Sequence, residues 1–137
     1  SAFQDTGAVA STFLVIVTAR SGHTLEKILG LVDGEIARLK AEPPTEREIV
    51  RFQNRTEAAF FDGLERVGGF GGKADQLNDY YVNTGNPDYF EEDLARYLSL
   101  DPSDVQAVAT RFLGPGRVVF SIVPEGKKEL AVAEVTR

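Results

Sequence analysis

The chain contains no cysteine, no methionine, no tryptophan and a single histidine, His23, in 137 residues. The lack of cysteine excludes disulfides, thiolate nucleophiles and sulfur-ligated zinc. One histidine excludes a zinc site built on two histidines of this chain. No apolar run approaches the roughly 20 residues of a membrane-spanning helix. The 15 basic residues are outnumbered by 21 acidic ones, giving a net charge of −6. Such a surface repels a phosphate backbone, so neither nucleic acid nor membrane is an expected partner. No methionine opens the chain either: it starts Ser1-Ala2-Phe3. The expectation is a processed or cut-down product of a longer gene.

What remains is the composition of a folding domain, with 42% hydrophobic and 26% charged residues. The length allows one domain at most. Its centre is Thr45–Val67. Thr45-Glu46-Arg47-Glu48 fits a capping box, in which the threonine oxygen accepts from the first turn and Glu48 reaches back to the cap amide. Glu46 and Glu48 also set negative charge at the positive end of the helix dipole. Ile49, Phe52, Thr56, Phe60, Leu64 and Val67 then recur as one apolar stripe.

Around this helix the pattern predicts a short strand over 2–6 and a strand over 11–19. Phe13-Leu14-Val15-Ile16-Val17 is apolar on both faces, as in a central strand, one side covered by the chain's own helices and the other needing a partner. A helix runs from Thr24 to about Glu42, where Gly30 and Gly34 would let a neighbouring element approach closely. Further helices are predicted over 73–83, from the Asn86-Pro87 start to Leu98, and from the Asp101-Pro102 start to Leu113. Arg117–Val123 is a third strand. The fold class is α+β: a small, mostly antiparallel sheet with several helices packed on one face. Residues 1–124 form the domain, and 125–137 a linker or tail.

Few residues suggest chemistry. Gly68–Gly72 followed by Lys73 resembles the end of a phosphate loop, but Val67 and Ala74 stand at two required positions and the run follows a helix, not a strand. A hinge with Phe70 plugged into the core is the better reading. His23 reads as a surface or capping residue, and Glu91-Glu92-Asp93 as a solvated helix face. The tyrosines at 80, 81, 89 and 97, with Phe90, read as core and rim packing. Arg20, at a strand-to-helix loop, is either a solvated charge or a ligand contact.

Three pieces in order carry a family resemblance: STFLVIVTARSGHTLEKI; AEPPTEREIVRFQNRTEAAFFDGLERVGGFGGKADQLNDYYVNTGNPDYFEEDLARY; and LDPSDVQAVATRFLGPGRVVFSIVP. Together, over about residues 11–124, they resemble the second half of a non-catalytic domain of the pitrilysin/insulinase family of zinc peptidases. The resemblance implies an incomplete half of a peptidase-family domain, whose parent cleaves peptides with zinc held by another domain in a His-x-x-Glu-His motif. That motif is absent here, so no metal ligand and no catalytic residue carries over, and the chain alone is expected to be inactive. The resemblance also implies that Arg20 contacts peptide substrate across a chamber, although no tyrosine in 21–40 accompanies it. Expected partners are other domains of the same polypeptide and peptide substrate, with self-association of the isolated piece. A bacterial periplasm or cell envelope is the compartment the family suggests. The alternatives are an inactive scaffold or assembly domain of the same family, and an unrelated binding module.

Overall fold

A computed structural model of the protein describes residues 1–7 and 9–133. The chain is α+β. Strands β1 (Ala2–Asp5) and β2 (Thr12–Val15) form an antiparallel sheet, followed by helices α1 (Leu25–Ala41), α2 (Glu46–Gly63), α3 (Lys73–Thr84), α4 (Phe90–Leu98) and α5 (Pro102–Phe112). The chain divides into two compact units: Ser1–Arg38 with the segment from Leu113 onward, and Leu39–Phe112.

In the first unit, β1 and β2 pair Ala2 with Val15, Phe3 with Leu14, Gln4 with Phe13 and Asp5 with Thr12. The ladder runs one pair further. Ile16 donates its amide to Ser1 O at 2.9 Å, and the Ser1 ammonium donates to Ile16 O at 2.9 Å. Arg117 forms a two-pronged ion pair with Asp33, Nη1 on Oδ1 and Nη2 on Oδ2. The Val132 amide donates to Ser121 Oγ at 3.1 Å.

The third strand expected over Arg117–Val123 does not form: the sheet has two strands. A strand exists only through a partner ladder, and among the described residues none runs beside this segment; Val118, Phe120 and Ile122 are exposed, the last two at 87% and 95%. For the same reason β2 is not buried on both faces. Phe13, Val15, Ile16 and Val17 are all exposed. Gly30 and Gly34 admit no close neighbour: a Cβ at either would meet nothing within 4 Å.

The second unit holds the core. Among the described residues the buried apolar side chains are Ile49, Tyr80, Leu94 and Ala109. The capping box starts α2 as its sequence demands. Thr45 Oγ1 accepts from the Glu48 amide at 3.3 Å, and Glu48 Oε2 accepts from the Thr45 amide at 2.9 Å. Edge-to-face rings join α2 to α4, with Phe60 5.5 Å from both Phe90 and Tyr97. Gln53 Nε2 donates to Leu98 O at 2.9 Å and Leu100 O at 3.1 Å, satisfying carbonyls at the open end of α4. Gln106 Nε2 does the same for Lys40 O at the end of α1, at 3.0 Å.

Three local expectations change here. Helix α2 stops at Gly63, four residues short of Val67. Helix α4 begins at Phe90 rather than Pro87, because Asn86 turns its side chain onto the chain ahead: Oδ1 accepts from the Asp88 amide at 3.0 Å and Nδ2 donates to Asp88 O at 3.2 Å. That turn competes with the helix start. Phe70 is no core plug; it is fully exposed at the tip of the glycine loop.

Candidate functional site

The best-formed polar group on the molecule lies where α3 meets α4. Helical spacing puts Gln76 and Tyr80 on one face of α3. Gln76 Nε2 donates to the Tyr80 hydroxyl at 3.0 Å, and that hydroxyl donates to Asp93 Oδ2 of α4 at 3.0 Å. Tyr89 closes the group from the rim, its ring 5.8 Å from that of Tyr80 and nearly perpendicular. The turn between the helices is held by Thr84, whose Oγ1 donates to Tyr80 O at 2.8 Å and accepts from the Asn86 amide at 3.1 Å. Gly85 adopts φ 75°, the left-handed cap a glycine supplies at no steric cost.

Burial, with the hydrogen bond to Asp93 next, pushes the Tyr80 phenol up to about 12. Both effects favour the neutral form, since the adjacent carboxylate resists a second negative charge. At neutral pH Tyr80 is therefore a fixed hydrogen-bond donor, not a base or a nucleophile. A cleft of about 210 Å³ opens beside it, lined by Leu64, Leu77, Pro87 and Phe90 with Lys73 and Asp88 at its polar positions. That volume falls below the roughly 300–1,000 Å³ of small-molecule sites.

The amides of the glycine loop are taken up by bonds within the loop and to Asp75. Asp75 Oδ2 accepts from the Gly71 amide at 2.9 Å, Gly69 O from Gly72 at 3.1 Å, Arg66 O from Lys73 at 2.8 Å and Val67 O from Ala74 at 3.2 Å. A phosphate would need those N–H groups free.

Arg20 lies in the loop between β2 and α1. Its carbonyl accepts from the His23 amide at 3.2 Å and closes a turn, while its side chain is exposed. His23 is also exposed, and the N-terminal cap of α1 comes from Thr24, whose Oγ1 accepts from the Lys27 amide at 3.3 Å. Neither residue belongs to the Tyr80 group. Among the described residues no set of three or more histidine, aspartate or glutamate side chains converges.

Sequence reasoning missed Asp93. Glu91 and Glu92 are exposed as expected, but Asp93 turns inward to Tyr80. Its partner lies 13 residues back on another helix, a relationship that leaves no periodic signal. No family model matches the chain, and no curated protein or solved structure matches it either.

Proposed function

We propose that this chain is a supporting, non-catalytic part of a pitrilysin/insulinase-like zinc metalloendopeptidase, an incomplete half-domain that shapes the peptide chamber while another domain holds the zinc. One observation supports a part that works inside something larger. The accessible surface is 11171 Å². A compact monomer of 15.0 kDa exposes roughly 7,000 Å², and even two separate domains of half that mass expose roughly 8,500 Å². Large apolar side chains are uncovered, with Phe13, Ile16, Phe120 and Ile122 among them. Patches of this kind are covered by partners in working proteins. The order of the three motif pieces is what supports a peptidase as the larger object. In this reading Arg20, exposed in its loop, is the residue that contacts substrate.

The test compares the gene product from which the chain derives with the chain itself, on an unstructured peptide. Chelator-sensitive cleavage by the former and none by the chain is the expected result, and Arg20→Ala in the longer protein should then raise KM more than it lowers kcat. An inert, zinc-free longer protein overturns the peptidase reading in favour of a scaffold of the same family. Stoichiometric zinc binding by the chain alone overturns the non-catalytic assignment.

A further inference from the structure

Strand β2 has one paired edge and one open edge, and the register says which groups the open edge presents. Directly opposed residues of an antiparallel pair alternate between exchanging both backbone hydrogen bonds and exchanging none. Ser1 and Ile16 exchange both, so Phe3–Leu14 and Asp5–Thr12 do as well. Between them, Val15 and Phe13 stand opposite Ala2 and Gln4 and turn their N–H and C=O groups outward. Val17 continues the alternation. No third strand pairs with this edge among the described residues. The same three residues are 51%, 43% and 48% exposed at Phe13, Val15 and Val17.

The sequence along this edge is self-complementary. Thr12-Phe13-Leu14-Val15-Ile16-Val17-Thr18 reads nearly the same from either end by residue class. We propose that the open edge of β2 is a homodimer interface, in which two copies pair antiparallel about Val15 to make a continuous four-stranded sheet. Val15 then faces Val15 of the second copy, Phe13 faces Val17, Leu14 faces Ile16 and Thr12 faces Thr18. Aromatic–β-branched and threonine–threonine pairs of this kind stabilise cross-strand contacts. Charge agrees. No charged residue lies between Asp5 and Arg20, and in this register Arg20 falls opposite Ala10, so no like charges oppose. The edge also lacks the lysine, proline or bulge with which open strands are usually protected. Stability points the same way, because an isolated two-stranded hairpin is marginal in water and three or more strands are not.

Seven residues a side is less than the roughly 20–30 of a standard interface, so a dimer of micromolar strength is expected. The pairing stands apart from the peptidase reading: zinc-dependent cleavage tests that one, and sizing tests this one. Sedimentation of the 137-residue chain from low micromolar to hundreds of micromolar should show monomer passing to dimer. The amides of Phe13, Val15 and Val17 should gain protection from hydrogen exchange over the same range. Val15→Lys, which sets two ammonium groups face to face on the dyad, should weaken the dimer about tenfold or more. Phe13→Lys combined with Val17→Glu sets opposite charges across the pair and should retain it, whereas Phe13→Lys combined with Val17→Lys should not. Circular dichroism confirms that each variant keeps its helices. A chain that stays monomeric throughout overturns the proposal. So does a dimer that survives Val15→Lys but is lost in Phe120→Lys, which would assign the contact to the segment 117–123.

Discussion

The Tyr80 hydroxyl stands 3.0 Å from Asp93 Oδ2 and donates to it, while accepting from Gln76 at 3.0 Å. One side chain thus ties two turns of α3 to the first turn of α4. With its phenol pushed up to about 12, Tyr80 contributes stability that is fully present below the ordinary tyrosine value near 10. That contribution is lost as pH rises through the folded value. Thermal midpoints should therefore fall between about pH 10 and pH 12, and Tyr80→Phe should flatten that fall. In an ultraviolet titration the Tyr80 step should lie well above the ordinary tyrosine value.

The acid side has its own marker in Asp101. Its carboxylate accepts from the Ser103 hydroxyl at 2.6 Å and from the Ser103 and Asp104 amides at 2.7 and 3.0 Å. The Ser103 hydroxyl first, then the Asp104 amide, holds it below the usual carboxylate value. The cap on α5 is present above the unfolded value and lost as pH falls through the lowered folded one. Asp101→Asn keeps an acceptor but not the charge, so exchange protection at the start of α5 should lose its acid dependence.

The capping box of α2 is a coupled pair. Thr45→Ala should cost about 1 kcal/mol. Once the threonine is gone, Glu48→Ala should cost less than it does alone, because each side chain serves the other's amide. A double-mutant cycle read by urea denaturation measures the difference.

Two glycines should respond with opposite sign. A Cβ at Gly72 would lie 2.7 Å from Gly68 O and 3.0 Å from Arg66 O, both fixed backbone atoms. Gly72→Ala should therefore destabilise by about 1–3 kcal/mol. Gly30 sits inside α1 with nothing near its missing Cβ, so Gly30→Ala should stabilise by about 0.5–1 kcal/mol. Thermal denaturation of the two single variants is enough to see both signs.

Gln53 is a cap that works at a distance of 45 residues in sequence. Gln53→Ala strands the Leu98 and Leu100 carbonyls and should cost about 1–2 kcal/mol. Gln53→Glu turns an acceptor toward two acceptors. It should be the worse substitution at neutral pH and recover part of its loss near pH 4, where the protonated acid can donate to one carbonyl. Urea midpoints at the two pH values check the crossover.

These residues also show how far the sequence could be read. Thr45 with Glu48 and the Asp101-Pro102 start of α5 were legible because each acts within four residues of itself. Ile49 was legible because helical periodicity marks the inward face. Arg117–Val123 looked like a strand because propensity is local, but pairing is not, and among the described residues no partner ladder runs beside it. Asn86-Pro87 misled because the asparagine side chain can start a turn as readily as a helix. At the candidate site Tyr80 was visible only as an aromatic among others. Its meaning comes from Asp93, and Gln53 and Gln106 act across still longer separations. Arg20 remains where the sequence put it, in a loop, with its substrate contact resting on the peptidase reading.

The hairpin has one more consequence, which concerns time. Only residues 6–11 separate β1 from β2. A hairpin with so short a connection closes in about 1–10 μs, whereas a ribosome adds roughly 5–20 residues per second. The hairpin can therefore open and close many times in the seconds while the five helices are still being synthesised. Neighbouring ribosomes on one messenger hold nascent copies of that edge close together throughout the interval. Two chains can meet through β2 before either has formed the core around Ile49 and Tyr80.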